Sequence, residues 1–120
     1  MEIEQPAISV IIPTFNGEKR IPDCLESIVN QDYPREKIEI LVVDDNSTDR
    51  TVEIASRYGA RILNNGHRNI ERGKSIGLEQ AKNEFIFFID DDNRLPSADW
   101  LTGCVEAILV NPEATGAEAI

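Results

Sequence analysis

The chain has 120 residues and a mass of 13.4 kDa, with 41% hydrophobic and 28% charged residues. This composition suits one folded domain rather than a disordered segment. Twelve Lys and Arg against 22 Asp and Glu give a formal net charge of −10, which disfavours nucleic acid and anionic lipid as partners because their phosphates need cationic side chains. A divalent cation can still bridge an acidic protein to an anionic ligand.

No apolar run reaches the roughly 18 residues of a membrane-spanning helix, and the acidic Met1–Pro6 segment does not resemble a secretory signal. Two cysteines, Cys24 and Cys104, occupy apolar positions of predicted helices and match neither a disulfide framework nor a zinc-ligand spacing. We therefore expect two buried thiols and a location in the cytoplasm or at the cytoplasmic face of a membrane.

The first predicted elements are a buried strand and a helix. Ile8 to Ile12 is a β-branched apolar run that Pro13 ends, which predicts a strand. Apolar residues at helical spacing predict a helix over residues 21–31, with Pro22 in its tolerated first turn.

A second strand–helix pair follows the same pattern. Ile38 to Val43 predicts another buried strand, and the run Asp44–Asp49 after it is rich in residues that cap helices. A helix is predicted from about Thr51 to Tyr58, ending at Gly59, and a short strand is predicted over Arg61 to Leu63.

The remaining elements complete the alternation of strands and helices. Residues 72–82 predict a helix that Gly73 and Gly77 weaken. Phe85 to Ile89 predicts the clearest buried strand, and Asp90 to Asn93 follow it directly. A last helix is predicted from its apolar stripe of Trp100, Leu101, Cys104, Val105, Ile108 and Leu109, and a loose tail is predicted from Asn111.

This order predicts an α/β fold, a Rossmann-like, open and mainly parallel sheet of about four strands flanked by helices, in one domain over residues 1–120. The carboxyl ends of parallel strands meet at one edge of the sheet, where such folds bind ligands. Three polar loops should therefore lie together: Pro13–Asn16, Asp44–Asp45 and Asp90–Asp92.

Five aspartates at one edge repel one another, since two carboxylates about 5 Å apart cost roughly 3 kcal/mol at an effective dielectric of about 20. Mg²⁺ or Mn²⁺ would offset this repulsion, and Mg²⁺ commonly combines one or two carboxylates with substrate phosphates. Asp90 and Asp92, two apart on an extended chain, should point to one side and are the predicted metal pair.

Asp45, which follows a different strand, is predicted to accept a hydrogen bond from the ring N–H of uracil or guanine.

Each feature also has a structural interpretation. Asp44–Asp49 can also be explained as a turn and helix cap without any ligand. Arg72 and Lys74 can be explained as balancing the charges of Glu71 and Glu79 on a helix face. Phe15 is the one loop aromatic placed to flank a base.

The segments ISVIIPTFN, ILVVDDNSTDRT and GKSIGLEQAKNEFIFFIDDDN, in this order, resemble the N-terminal half of glycosyltransferase family 2, over about residues 7–112. The resemblance implies a GT-A-type fold that binds a UDP- or GDP-linked nucleotide-diphospho-sugar with Mg²⁺ or Mn²⁺ and transfers the sugar to an unknown acceptor. By motif match it implies that Pro13 and Asp45 line the base pocket, that Asp92 holds the metal, that Asp91 or Asp90 contacts the ribose or sugar, and that Arg72 and Lys74 approach the nucleotide. Together with the three loops, this gives Asp90 and Asp92 as the predicted metal ligands, and the predicted nucleotide-binding residues are Pro13, Thr14, Phe15, Asp44, Asp45, Arg72, Lys74 and Asp91.

The family's core is longer than this chain, and no candidate for its catalytic base follows Asp92. We expect that base and the acceptor-binding half to lie beyond Ile120, so a non-catalytic nucleotide-sugar-binding module, or a truncated fragment without the base, is the alternative to a complete transferase. A phospho-receiver domain would need acidic residues directly after the first strand, and Pro13–Asn16 at that place do not provide them.

An uncovered sheet edge or the stripe around Trp100 predicts self-association.

Overall fold

Four parallel strands form a single sheet in the order β3-β2-β1-β4 in a computed structural model that describes residues 5–66 and 69–110. A turn of 3₁₀ helix, Arg35–Lys37, precedes β2. The elements are β1 (Ile8–Thr14), α1 (Ile21–Val29), β2 (Ile38–Asp44), α2 (Thr51–Arg57), β3 (Arg61–Asn64), α3 (Ile70–Gln80), β4 (Phe85–Phe88) and α4 (Trp100–Val110). The predicted α/β class and parallel sheet are confirmed.

Alternate residues of the strands face two apolar layers. Ile8, Val10 and Ile12 of β1 pack with α1, α2 and α4 in the larger layer. Ile11 packs with residues of α3 in the smaller layer on the opposite face. The sheet is therefore covered on both faces, as the continuous apolar runs of β1 and β2 require.

The first strand continues through Pro13, which the sequence analysis placed after its end. The Ile11 carbonyl accepts from Ile89 on the β4 side, whereas the Thr14 carbonyl accepts from Asp45 on the β2 side. Because backbone groups of successive residues face opposite neighbours, the Pro13 nitrogen faces the β4 side. Proline has no N–H to continue the ladder on that side beyond Ile89, so the pairing with β4 ends, whereas β1 still pairs with β2 as far as Thr14.

Helix α3 begins at Ile70, two residues before its predicted start, because the Asn69 side chain caps it by accepting from the Glu71 amide at 2.9 Å and the Arg72 amide at 3.2 Å. Gly77, one of the two glycines predicted to weaken this helix, has a packing role. A Cβ at Gly77 would lie 2.4 Å from Cγ2 of Ile11, so glycine permits the close approach of α3 to β1.

Other boundaries differ from the predictions by one or two residues. The first helix ends at Val29 and β4 ends at Phe88, whereas Gly59 ends the second helix as predicted, with φ +80°. The predicted tail from Asn111 lies outside the described residues, as do Met1–Glu4 of the N-terminal segment. Within the described ranges, no helix has the length and apolar character needed to cross a membrane.

Candidate functional site

The loops after β1, β2 and β4 open onto one pocket with a volume of about 480 Å³, a size typical of small-molecule sites. The predicted convergence of these strand ends is confirmed. The pocket is lined by Pro13, Thr14, Phe15, Arg20, Val43, Asp45, Asn65, Asn69, Ile70, Asp90, Asp91 and Asp92. Four aspartates and one arginine thus share the site.

The lining of the pocket combines exposed apolar side chains with two buried polar side chains. Phe15 and Ile70 are exposed at the pocket, while Asp45 is 9% and Asn65 only 3% exposed. The Asn65 side chain donates to the Asn69 carbonyl at 3.0 Å. A flat, partly apolar ligand with polar ring edges suits this arrangement.

Asn65 is a site residue that the sequence analysis missed. Its backbone amide donates to the Asp44 carbonyl at 2.7 Å, directly after β3. The available signal was its position after a third parallel strand, since that strand ends at the same edge as the others.

Asp91 is held by two partners from the first strand and its loop. Its carboxylate accepts from the Thr14 hydroxyl at 2.8 Å and from Nε and Nη2 of Arg20, both at 3.2 Å. The hydrogen bond and charge of Asp91 raise the pKa of Arg20 above its ordinary value. Arg20, which also donates to the Phe15 carbonyl at 3.1 Å, is the second lining residue that the sequence analysis missed.

Asp90 and Asp92 are exposed and line the same pocket. The extended-chain argument that paired them is wrong, because the Asn93 amide donates to the Asp90 carbonyl at 3.0 Å and closes a turn. The turn still keeps both carboxylates at the pocket. Their availability therefore rests on exposure, not on the alternation of a strand.

Asp44 has a local structural role and does not line the pocket. Its carboxylate accepts from the Ser47 amide at 3.0 Å and the Ser47 hydroxyl at 2.5 Å. These bonds close a turn around Asn46, which has φ +58°. The turn-and-cap interpretation accounts for Asp44, while Asp45 beside it lines the pocket.

The cationic side chains predicted at helix α3 do not line the pocket either. Lys74 lies 3.8 Å from Glu71 and 5.8 Å from the centre of the Phe88 ring. Arg72 is exposed. The contact of Lys74 with Glu71 agrees with the interpretation that it balances charge on the helix face. The start of α3 contributes Ile70 and the capping residue Asn69 to the pocket instead.

The loops after β1 and β2 are tied together by reciprocal hydrogen bonds. The Asn16 amide donates to the Ser47 hydroxyl, and the Thr48 amide donates to the Asn16 side-chain carbonyl, each at 2.8 Å. Asn16 adopts φ +47°, a left-handed conformation that asparagine tolerates better than most residues. These contacts fix the loop that carries Phe15 against the loop that follows Asp45.

A second group of contacts centres on Asp49. Its carboxylate accepts from the hydroxyl and amide of Thr51 and from the Glu18 amide, and the Thr51 hydroxyl also accepts from the Gly17 amide at 2.8 Å. Desolvation acts to raise the pKa of Asp49, but these hydrogen bonds outweigh it and hold the pKa below its ordinary value. Asp49 therefore stabilises the loop after β1 without lining the pocket itself.

The donor set of the pocket is suited to a cation shared with a ligand. Across residues 5–66 and 69–110, no three His, Cys, Asp or Glu side chains form a group that could hold a metal alone. Mg²⁺ usually takes one or two carboxylates and completes its shell with waters and phosphate oxygens. The exposed carboxylates of Asp90 and Asp92 fit that requirement.

The family model described as glycosyl transferase family 2 matches residues 9–117. The chain is also 37% identical over 91 residues to poly(ribitol-phosphate) beta-N-acetylglucosaminyltransferase TarS of Staphylococcus aureus, covering 71% of this chain and 16% of the relative.

Two solved structures share the fold. The crystal structure of S. aureus TarS in complex with UDP superposes with a TM-score of 0.79 at 32% identity, over 88% of this chain and 32% of that one. The mannosyltransferase PcManGT from Pyrobaculum calidifontis, in complex with GDP-Man and Mn²⁺, gives a TM-score of 0.81 at 30% identity, over 88% and 33% of the two chains. The chain thus spans a third or less of the length of these relatives.

Proposed function

Because the chain belongs to glycosyltransferase family 2, we propose that its pocket binds the nucleotide-diphosphate part of a UDP- or GDP-linked sugar donor together with a divalent cation, for transfer of the sugar to an acceptor. One observation carries the proposal: the loops after three parallel strands, with their aspartates, line one pocket. A relative's complex with UDP and another's with GDP-Man and Mn²⁺ support it.

The base of the nucleotide lies in the part of the pocket formed by Asp45, Asn65 and the apolar walls. The carboxylate of Asp45 accepts the ring N–H that uracil and guanine offer. The side chains of Phe15 and Ile70 line the same pocket and are exposed to the ligand. Cytosine and adenine lack a ring N–H at that position, so a carboxylate there selects against them.

The cation is held by Asp90 and Asp92 with diphosphate oxygens of the donor. When bound, it supplies Lewis-acid stabilisation of the charge that develops on the leaving diphosphate. The chain's own contribution is to hold two carboxylates on a turn beside the pocket. Mg²⁺ and Mn²⁺ both accept oxygen ligands of this kind.

Transfer also requires a group that takes the proton from the attacking acceptor hydroxyl as the anomeric carbon is attacked. The pocket-lining carboxylates already have other roles in this proposal: Asp45 binds the ring of the nucleotide, Asp90 and Asp92 hold the cation, and Asp91 pairs with Arg20. A nucleotide-sugar-binding module without turnover is therefore the second candidate.

Calorimetry with UDP and with GDP, each with and without Mn²⁺, followed by assays of donor hydrolysis and sugar transfer, tests the proposal. We expect one nucleotide to bind at least tenfold more tightly when Mn²⁺ is present. Binding with sugar release supports the transferase, and binding without release supports the module. Failure of both nucleotides to bind would refute the proposal.

We further propose that the protein works in the cytoplasm, which its free thiols Cys24 and Cys104 favour.

Self-association also stays a prediction. Trp100 packs edge-on against Phe87 with ring centres 5.9 Å apart, and the exposed large apolar side chains of α4 are Leu109 and Val110 at its C-terminal end rather than Trp100. Sedimentation velocity at several concentrations tests it, and an unchanged sedimentation coefficient would reject it.

A further inference from the structure

The middle aspartate of the run Asp90–Asp92 is bound differently from its neighbours. Both oxygens of Asp91 face the Arg20 fork, with Oδ1 accepting from Nε and Oδ2 from Nη2. Oδ2 also accepts from the Thr14 hydroxyl at 2.8 Å. The side chain of Asp91 is only 14% exposed, while that of Arg20 is 45% exposed.

The backbone also packs closely against one oxygen of this carboxylate. A Cβ at Gly17 would lie 2.7 Å from Oδ2 of Asp91, so the chain passes closely beside that oxygen. A carboxylate has about four lone-pair positions, and three of those of Asp91 already accept hydrogen bonds. Few positions remain for a metal ion.

We propose that Arg20 is a positioning residue that withdraws Asp91 from the cation site and so leaves the cation to Asp90 and Asp92. The inference rests on the proposed function, because it concerns the cation that accompanies the nucleotide. A guanidinium fork holds both oxygens of a carboxylate in one plane. The side chain of Asp91 is thereby oriented toward β1 and its loop.

The charge of Arg20 has a second consequence. In the part of the chain that the structure describes, Arg20 is the single cationic residue lining the pocket, beside Asp45, Asp90, Asp91 and Asp92. Its charge reduces the mutual repulsion of these carboxylates when no cation is bound. The pocket is then organised before the donor and cation arrive, at the cost of a weaker attraction for the free cation.

Titration of free Mn²⁺ by electron paramagnetic resonance, with and without UDP, tests this in the full chain and in Arg20→Gln, Asp91→Asn and the double variant. We expect Arg20→Gln to bind Mn²⁺ at least fivefold more tightly, since it loses a positive charge and releases a third carboxylate. Asp91→Asn should bind several-fold more weakly, since the Arg20 charge is left uncompensated. The double variant should return to within about threefold of the parent protein.

Arg20→Lys is the matched control, because it keeps the charge and loses the fork, so it should also bind Mn²⁺ more tightly than the parent protein, although less so than Arg20→Gln. Loss of a positive charge alone can tighten Mn²⁺ binding, so a gain in Arg20→Lys is the result specific to the proposal, and a gain confined to Arg20→Gln would overturn the positioning role. Arg20→Gln that leaves the affinity unchanged or weakens it would overturn the proposal. If Arg20→Gln does not fold, Arg20→Lys decides, and unchanged or weaker Mn²⁺ binding in that variant overturns the proposal.

The design separates this inference from the proposed function. Parent protein that binds Mn²⁺ with UDP, combined with no effect of Arg20→Gln, overturns the role of Arg20 and leaves the nucleotide site standing. Parent protein that binds UDP without any Mn²⁺ overturns both the role of Arg20 and the cation part of the proposed function.

Discussion

The hydroxyl of Thr14, the last residue of β1, donates a hydrogen bond of 2.8 Å to Asp91 in the turn after β4. This bond joins two of the three loops that line the pocket without any ligand. Hydrogen bonds between the loops after β1 and β2 join the third. The pocket is therefore largely preformed, which lowers the cost of ordering on binding.

The first prediction concerns recognition of the base. Asp45→Asn should weaken UDP or GDP binding, whichever the protein prefers, by roughly 10- to 150-fold, because a hydrogen bond to a charged acceptor contributes roughly 1.5–3 kcal/mol. Calorimetry measures the change. Glu106→Gln, at an exposed position of α4, removes the same charge away from the pocket and should bind as the parent does. Equal affinities of the parent and Asp45→Asn would remove the assigned role.

The second prediction concerns the pH dependence of stability through Asp49. Its pKa is lower in the folded protein than its ordinary value, so its ionised form stabilises the fold at neutral pH. That contribution is lost as pH falls through the unfolded value, about 3.9, toward the folded one. Asp49→Asn should lower the Tm at pH 7.

The size of that Tm difference should shrink as the pH falls from the pKa of the unfolded state toward the lower pKa of the folded state, because Asp49 of the parent is then progressively protonated. Thermal unfolding followed by circular dichroism at a series of pH values measures it. Glu36→Gln, at an exposed position of the 3₁₀ turn, serves as the charge-matched control. A Tm difference between Asp49→Asn and the parent that stays constant from pH 7 to 2 would contradict the account.

The third prediction compares two helical glycines. Gly77→Ala should destabilise the protein by about 1–3 kcal/mol, because its Cβ would meet Ile11 at 2.4 Å and overpacking outweighs the helix propensity of alanine. Gly103→Ala has no neighbouring atom within 4 Å and should stabilise the protein by up to about 1 kcal/mol. Urea unfolding measures both. Changes of the same sign in the two variants would show that α3 does not approach β1 so closely.

The fourth prediction concerns the thiols. Burial, together with the nearby aspartates, raises the pKa of Cys24 to about 12, and burial raises the pKa of Cys104 above its ordinary value. Cys24 is buried, whereas Cys104 is partly accessible. A thiol reagent at pH 8 should therefore modify Cys104 first, and Cys24 only after unfolding in urea, as mass spectrometry would show. Faster modification of Cys24 in the folded protein would contradict its burial beneath Asp90.

The strands and the meeting of their ends could be predicted from the sequence, because a short apolar run followed at once by aspartates is a local pattern. The division of labour within each run could not. Asp44 and Asp45 are neighbours in the sequence, and only the turn through Ser47 separates a structural carboxylate from one that lines the pocket. The roles of Asp90 and Asp92 depend likewise on a turn that alternation did not predict.

Residues whose roles depend on distant contacts were missed for the same reason. Arg20 has no special neighbour in the sequence and becomes part of the pocket only through Asp91. Asn65 lines the pocket because β3 ends beside β2. The end of β1 depends on β2, because Pro13 interrupts only the pairing with β4, while the pairing with β2 continues to Thr14.

Paramagnetic broadening by Mn²⁺ tests most directly whether the three loops surround one cation. Amide spectra of the isotopically labelled chain would be recorded with UDP or GDP, first with Mg²⁺ and then with small additions of Mn²⁺. We predict selective broadening of Thr14, Asp45 and Asp92, with the signals of Lys37 at the opposite end of the sheet unaffected. Broadening that is confined to one loop, or that is centred away from all three, would contradict a shared nucleotide–cation site.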